Sequence, residues 1–335
     1  MRISDINNGK RTIMKALFLT VSMELSLLFF PWSFSRDIIH TSQLQLKPPL
    51  VTLIPLQRDR PSIVQRLKTN STVAPVKTED NTSYPTLTDI LPDLQRTSPV
   101  ITTCVNYGFL NMLYNFLVSI QRINMQANIL VICEDKMSFN ELSKGNQNIT
   151  LEYKIVLTHL EVSISDSTDF GSESYVQLVQ KRVYYIELLL RHNIDVLYTD
   201  NDIVLLEDPF KFMNGKGDLF IQSENPEHTK LCTGFFYMRA NNRTCQLTSA
   251  WRKALYRDRR GNQRIFNKIL LDFRDIIQVN ILPTDRFLSG MLLRRLKLPW
   301  DNLDPKPVCI HANNLVGHDN KTALLKKHGL WFLPS

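Results

Sequence analysis

The sequence predicts an α/β domain on a mostly parallel central sheet, and three observations carry that expectation. Apolar runs alternate with helical periods between residues 99 and 335, the signature of βαβ units. An amphipathic helix then delivers the chain to a strand ending in Asp200-Asn201-Asp202. The segment is also the size of one such domain.

Val100 to Val105 is a β-branched run ending in Asn106-Tyr107-Gly108. Phe109, Met112, Leu113, Phe116, Leu117 and Ile120 follow at three- and four-residue steps, which is a helix. Ile129 to Cys133 is a second strand, so this is a βαβ unit with parallel strands. A strand near Tyr153 to Leu157 and a polar loop through Gly171 come next. Val179, Val183, Ile186 and Leu190 mark a helix over 176–192, which leads to the strand that ends at Asp200. Beyond Pro209 the elements shorten: strands at 218–222 and 234–239, and helices at 248–256 and 263–271.

The paired carboxylates are the most informative feature. In extended backbone alternate side chains share a face, so Asp200 and Asp202 would point together and Asn201 away. Two hard oxygen ligands suit a divalent cation, and such a cation can hold a diphosphate. The carboxyl end of a parallel sheet is where open α/β folds bind ligands.

Residues 16–34 are mostly apolar and, as a helix, span roughly 28 Å, near the hydrocarbon thickness. Glu24 is a defect in that run, costing on the order of 3 kcal/mol if charged. Arg2, Lys10, Arg11 and Lys15 against Asp5 keep the N-terminus cytosolic. The expected layout is a cytosolic tail over 1–15, a signal anchor over 16–34, a lumenal stalk over 35–98 and a folded domain over 99–335. A cleaved signal peptide is the alternative, with Ser33-Phe34-Ser35 as a fair cleavage site. The stalk reading rests on seven Pro, no Gly and many Thr and Ser. Glycosylation sequons at Asn70, Asn81, Asn148, Asn242 and Asn320 all follow the apolar span, as a lumenal C-terminal part requires.

The five cysteines lack zinc-type spacing, which argues against a structural zinc site. Their odd number leaves at least one thiol free or paired with another chain, so a disulfide-linked or non-covalent oligomer is open. The net charge of +8 is scattered and lacks a basic-aromatic motif, so nucleic acid is not an expected partner.

From about Lys181 to Phe332 the chain resembles a known family. The matching stretches are 196–204 with Asp208-Pro209, Thr233 to Tyr237, Gln263 with Phe266-Asn267, and Leu282-Pro283 with Phe287 and Gly290. The last is His311-Ala312-Asn313 with Gly317 and Lys321, before Gly329-Leu330-Trp331. The resemblance is to the nucleotide-diphospho-sugar transferase domain of plant rhamnogalacturonan II xylosyltransferases and extensin arabinosyltransferases, which also occurs in animals. It extends distantly to glycogenin-type retaining transferases. It implies a GT-A-type fold, a nucleoside-diphosphate sugar as donor, in the first place a UDP-sugar, and a glycan or glycoprotein acceptor. The anchor and stalk match the layout of a type II Golgi membrane enzyme with a lumenal catalytic domain.

The resemblance also implies roles. Asp202 is the direct metal ligand, Asp200 meets metal and ribose, and His311 is the third ligand. An imidazole in an oxygen shell favours manganese. Lys321 meets the β-phosphate, and Gly317 lets backbone approach it. A glycan on Asn320 would crowd that place, so Asn320 is expected to stay unmodified. Asn106 and Tyr107 receive the nucleobase, with Tyr107 stacking on uracil. Lys181 or Arg182 touches the diphosphate or ribose. Gly234 lets the sugar or acceptor near the backbone, and Asn262 and Gln263 face the transferred sugar. Two departures stand out: Asn262-Gln263 where the family has Asp-Gln, and Cys232 where it has Asn. Asn262 can hydrogen-bond but cannot serve as a carboxylate. An inactive nucleotide-sugar-binding or glycan-binding relative is therefore the alternative to an enzyme. A diphosphate hydrolase would need a general base near the metal-bound water, and the sequence offers no clear one.

Overall fold

Strand-by-strand alternation of buried apolar side chains builds this fold. The computed structural model describes residues 84–158, 173–257 and 261–334. In β1 (Val100–Val105), Val100 and Cys104 face one core while Ile101 and Val105 face the other. β1 pairs in parallel with β2 (Asn128–Cys133) and β4 (Val196–Thr199), and β2 with β3 (Lys154–Leu157). The sheet continues through β7 (Leu231–Met238), β6 (Leu219–Ser223) and β8 (Val279–Ile281), in the order β3-β2-β1-β4-β7-β6-β8. β7 runs antiparallel to both neighbours while β8 is parallel to β6, so the sheet is mostly parallel, as expected.

A smaller sheet of order β5-β10-β9 comprises β5 (Ile203–Leu205), β9 (Phe287–Ser289) and β10 (Cys309–His311). β10 pairs antiparallel with β5 and sets His311 opposite Ile203. This register carries a distant imidazole to the residues that follow Asp202.

Helices cover both faces of the large sheet. On one side lie α4 (Glu173–Arg191), α5 (Asn242–Arg257) and α6 (Asn262–Asp272), packed through Ile186, Leu190, Trp251 and Phe266. On the other lies α2 (Leu110–Arg122), which buries Leu113, Phe116, Leu117 and Ile120. Short helices complete the fold: α7 (Gly290–Arg295) and α8 (His318–Lys327), whose Leu324 and Leu325 close a third cluster under the small sheet.

The stalk reading fails for its last residues. Leu87–Arg96 form helix α1, with Leu87, Leu91 and Leu94 buried in the main core. Thr86 starts it with a capping box: its backbone N–H and hydroxyl both donate to Asp89 Oδ2, at 2.8 and 2.7 Å. Helix α3 (Lys136–Ser143) was not expected either; Asp135 caps it by accepting from the Ser138 N–H at 2.7 Å. Helix α5 begins at Asn242, ahead of the expected start at Thr248. All five cysteines are free thiols. The proposed tail, anchor and most of the stalk lie outside the described residues, among which no helix is long and apolar enough to cross a membrane.

Candidate functional site

Asp200 and Asp202 leave the end of β4 through a turn, not the extended backbone the sequence suggested. The carboxylates converge nonetheless, because the turn is held at both ends. The Asp200 N–H donates to the Gly234 carbonyl at 2.8 Å, and the Ala312 N–H donates to the Asp202 carbonyl at 2.9 Å. Asn201 points to β1 and anchors the turn. It accepts from the Thr103 hydroxyl at 2.7 Å and donates to the Cys104 carbonyl at 2.8 Å. His311 Nε2 lies 3.2 Å from Asp202 Oδ1 and 3.9 Å from Asp200 Oδ2. One donor atom from each of the three residues falls within 4.8 Å of the others.

Two carboxylates and one imidazole within reach of one another are a donor set that fits a divalent cation. His311 Nδ1 lies 2.9 Å from Gln222 Oε1 on the side of the ring away from the carboxylates, and Nε2 faces them. Lys321 Nζ holds the other Asp202 oxygen at 2.7 Å. Burial pushes the Asp202 carboxyl up, but Lys321 and His311 overcome it and hold the group well below the usual carboxylate range. Burial likewise pushes His311 down, and Asp202 more than reverses this, so the ring titrates well above its ordinary value. The cluster is therefore an ionic network in which a cation would replace a proton.

The triad opens on a cavity of about 780 Å³. Asn106, Gly234, Asn262, Gln263, Gly317 and Lys321 all line it, so most of the expected site residues meet in one place. Tyr107 and Lys181 do not line it. Tyr107 is 43% exposed on the 3-10 turn after β1, its backbone N–H held by Asp135 at 2.8 Å. Of Lys181 and Arg182 on α4, Arg182 is the one that enters, four residues before Ile186 on the same face. It donates to Asp200 Oδ1 at 3.2 Å, where the Tyr198 hydroxyl also donates at 3.2 Å.

Glu134 is a further lining residue that the sequence did not single out. It is 2% exposed, its Oε1 has no hydrogen-bond partner, and Arg182 Nε stands 3.8 Å away. Burial pushes its carboxyl up to about 7 against the pull of Arg182. Gly317 has φ +87°, which an L side chain rarely adopts, and it starts α8, whose free N–H groups favour an anion. Asn262 Nδ2 donates to the Thr233 hydroxyl at 3.3 Å, while its buried Oδ1 has no partner. Gln263 Oε1 accepts from the Thr233 N–H at 3.4 Å.

Gly234 has a tighter role than admitting a sugar. A Cβ built on it would stand 2.4 Å from Asp200 Oδ2 and 2.7 Å from His311 Cε1. The missing side chain is what lets those two ligands come together. Gly234→Ala should therefore lower manganese affinity by on the order of 10–100-fold, as displacing a ligand's supporting contacts does. Titration calorimetry on the variant checks it, and unchanged affinity would show that the ligands can move aside freely.

The pattern of nucleotide-diphospho-sugar transferases matches residues 124–325. UDP-D-xylose:L-fucose alpha-1,3-D-xylosyltransferase 3 of Arabidopsis thaliana is 26% identical over 259 residues, 70% of this chain and 66% of that protein. The chain thus spans just under two thirds of that relative. The Arabidopsis UDP-D-xylose:L-fucose alpha-1,3-D-xylosyltransferase is 24% identical over 351 residues, 97% of this chain and 87% of the relative. Among solved structures, the glycosyltransferase GlyE of Streptococcus pneumoniae TIGR4 aligns at 15% identity and a TM-score of 0.45, covering 71% of this chain and 62% of that one. The sequence match extends over more than half of the chain and takes in the turn that bears both carboxylates, and on that ground the protein is a member of the nucleotide-diphospho-sugar transferase family.

Proposed function

We propose that this member of the family transfers a sugar from a UDP-sugar to a hydroxyl of a glycan or glycoprotein, with retention at the sugar carbon and with manganese at Asp200, Asp202 and His311. The observation that carries the proposal is the convergence of those three side chains, with Lys321, in one cavity. When bound, the cation supplies Lewis-acid neutralisation of the leaving diphosphate without proton transfer. The protein does the rest. Arg182 and Tyr198 fix the Asp200 carboxylate, and Lys321 brings an ammonium to the phosphate side. The N-terminus of α8 adds backbone N–H groups there. Asn106, buried at the end of β1, lies where the nucleoside enters. Asn262 and Gln263 meet the sugar.

The activities of the Arabidopsis relatives make UDP-xylose the first donor to try and L-fucosides the first acceptors. UDP-arabinose and UDP-galactose complete the panel. We place the enzyme in the Golgi membrane with the catalytic domain lumenal, on the strength of the apolar run 16–34 and its basic flank. The test is to incubate the purified full chain with manganese, each donor, and acceptor or buffer. Acceptor-dependent release of UDP supports transfer, whereas acceptor-independent release of UMP would mean hydrolysis.

Asn262 favours a second reading, a relative that binds nucleotide sugar without transferring it. If the family's carboxylate at this place stabilises positive charge developing on the sugar, Asn262 supplies only a dipole. Asn262→Asp should then raise kcat with little change in donor KM. The Thr233 hydroxyl can donate to the new carboxylate, so the change is locally tolerated. Steady-state kinetics on both proteins decide it. A fall in kcat refutes charge stabilisation, and two inactive proteins that still bind UDP establish the binding relative.

A further inference from the structure

Gln222 sits at the end of β6, fully buried, in the layer behind the carboxylate–imidazole cluster. Its amide has a single sensible orientation. Nε2 donates to the carbonyls of Phe287 and Leu288, both at 3.2 Å and both in β9. The amide oxygen is thereby turned to His311 Nδ1 at 2.9 Å. An oxygen there can only accept, so the ring must carry its proton on Nδ1. A neutral imidazole has one N–H, and placing it on Nδ1 leaves the Nε2 lone pair toward Asp200 and Asp202.

A second group also approaches Nδ1: the Cys232 thiol, at 3.6 Å. Sulfur is a weak acceptor, and Cys232 Sγ already receives the Asn313 amide at 3.4 Å. The shorter contact to a fixed amide oxygen is the stronger constraint. The link also joins the two sheets, since Gln222 belongs to the large sheet and both its carbonyl partners and His311 to the small one. The ring is thus tied to the backbone of its neighbouring strand through one side chain.

We infer that Gln222 is a positioning residue for the cation: it selects the His311 tautomer and fixes the ring so that Nε2 is presented as a ligand. This rests on the metal-site reading above. The mechanism is one of orientation. Without the amide acceptor, the ring can rotate or place its proton on Nε2, and either change withdraws the ligand. Partners of this kind change metal affinity by about 10–100-fold when removed.

The test measures manganese binding by calorimetry on the purified full chain, for wild type, Gln222→Met, Gln222→Glu, Cys232→Ala and Asp202→Asn. Circular dichroism and melting confirm that each is folded. Gln222→Met keeps the volume and loses the acceptor, so its affinity should drop by about tenfold or more. Gln222→Glu restores an acceptor oxygen toward Nδ1, provided its other oxygen is protonated in this buried place and donates to the Phe287 or Leu288 carbonyl as Nε2 does, and should then recover most of that loss. Cys232→Ala should change affinity less than Gln222→Met. With cadmium bound to histidine-labelled protein, nitrogen NMR should show the proton on His311 Nδ1 and the metal on Nε2 in the wild type. Gln222→Met should show that signature weakened. Equal affinity in wild type and Gln222→Met overturns the inference, as does a larger effect from Cys232→Ala. If the wild type and Asp202→Asn bind manganese alike, the metal-site reading itself has failed and takes this inference with it. If Gln222→Met does not fold, Gln222→Glu must still carry the Nδ1–H signature, and its absence overturns the inference.

Discussion

Asp202→Asn should abolish manganese-dependent transfer while leaving the domain folded. Asp202 is 4% exposed and gives one oxygen to His311 at 3.2 Å and the other to Lys321 at 2.7 Å. Asparagine keeps the shape and one acceptor oxygen but removes the charge that a cation and Lys321 require. Losing one group aimed at developing negative charge typically costs on the order of 10²–10³-fold in kcat, and losing a direct ligand should cost at least that. Alanine is the poorer test. It would remove both the carboxylate and its volume from beside a buried imidazolium, and breaking a buried pair costs about 3–5 kcal/mol in stability. Transfer assays with manganese across a concentration series check the prediction. Full activity in Asp202→Asn at saturating manganese would remove Asp202 from the ligand set.

Manganese should stabilise the protein progressively more as pH rises toward the folded His311 pKa, and His311→Ala should flatten that dependence. The His311 pKa is raised in the folded state. Its pairing with Asp202 therefore contributes fully below the unfolded value of about 6.5 and is lost as pH rises through the folded value. The Asp202 pKa is depressed, so its contribution is present above about 3.9 and is lost only as pH falls through the folded value. A cation needs the neutral ring and must expel that proton. Below the folded His311 pKa, affinity should fall about tenfold per pH unit. At a pH just below that folded value, a manganese concentration about 100 times Kd gives a gain of about 2.7 kcal/mol. Two pH units lower, the same concentration is about equal to Kd and the gain is about 0.4 kcal/mol. Melting curves with and without manganese at the two pH values measure it, and equal shifts would argue against His311 as a ligand.

Much of the fold was legible because its strands are continuous apolar runs and its helices keep strict periods. β1, β2, β3 and β4 fall where the runs lie, and α4 falls on the Val183-Ile186-Leu190 stripe. Helix α1 was hidden by composition. Leu87, Leu91 and Leu94 recur at helical spacing, and Thr86-x-x-Asp89 is a start signal, but Pro92 and the surrounding Thr and Ser masked both. The metal-type residues were legible because two lie in one short motif and the third opens a block of its own. The support around them was not, because it is built across sheets. Gln222 meets His311 only through the pairing of β10 with β5 and β9. Gly234 could be marked as special, but only the antiparallel pairing of β7 with β4 shows that it faces Asp200. Arg182 and Lys181 are neighbours on α4, and Ile186, one helical turn on from Arg182, is the signal that would have chosen between them.

The proposed function requires one cation held by Asp200, Asp202 and His311 beside a nucleoside diphosphate. The direct measurement is anomalous diffraction from crystals of the protein grown with manganese and UDP. The expected result is a single manganese peak in contact with both carboxylates and with His311 Nε2, with Lys321 turned to the phosphates. A manganese peak elsewhere, or UDP bound in the cavity with equal affinity after manganese is chelated, would contradict it.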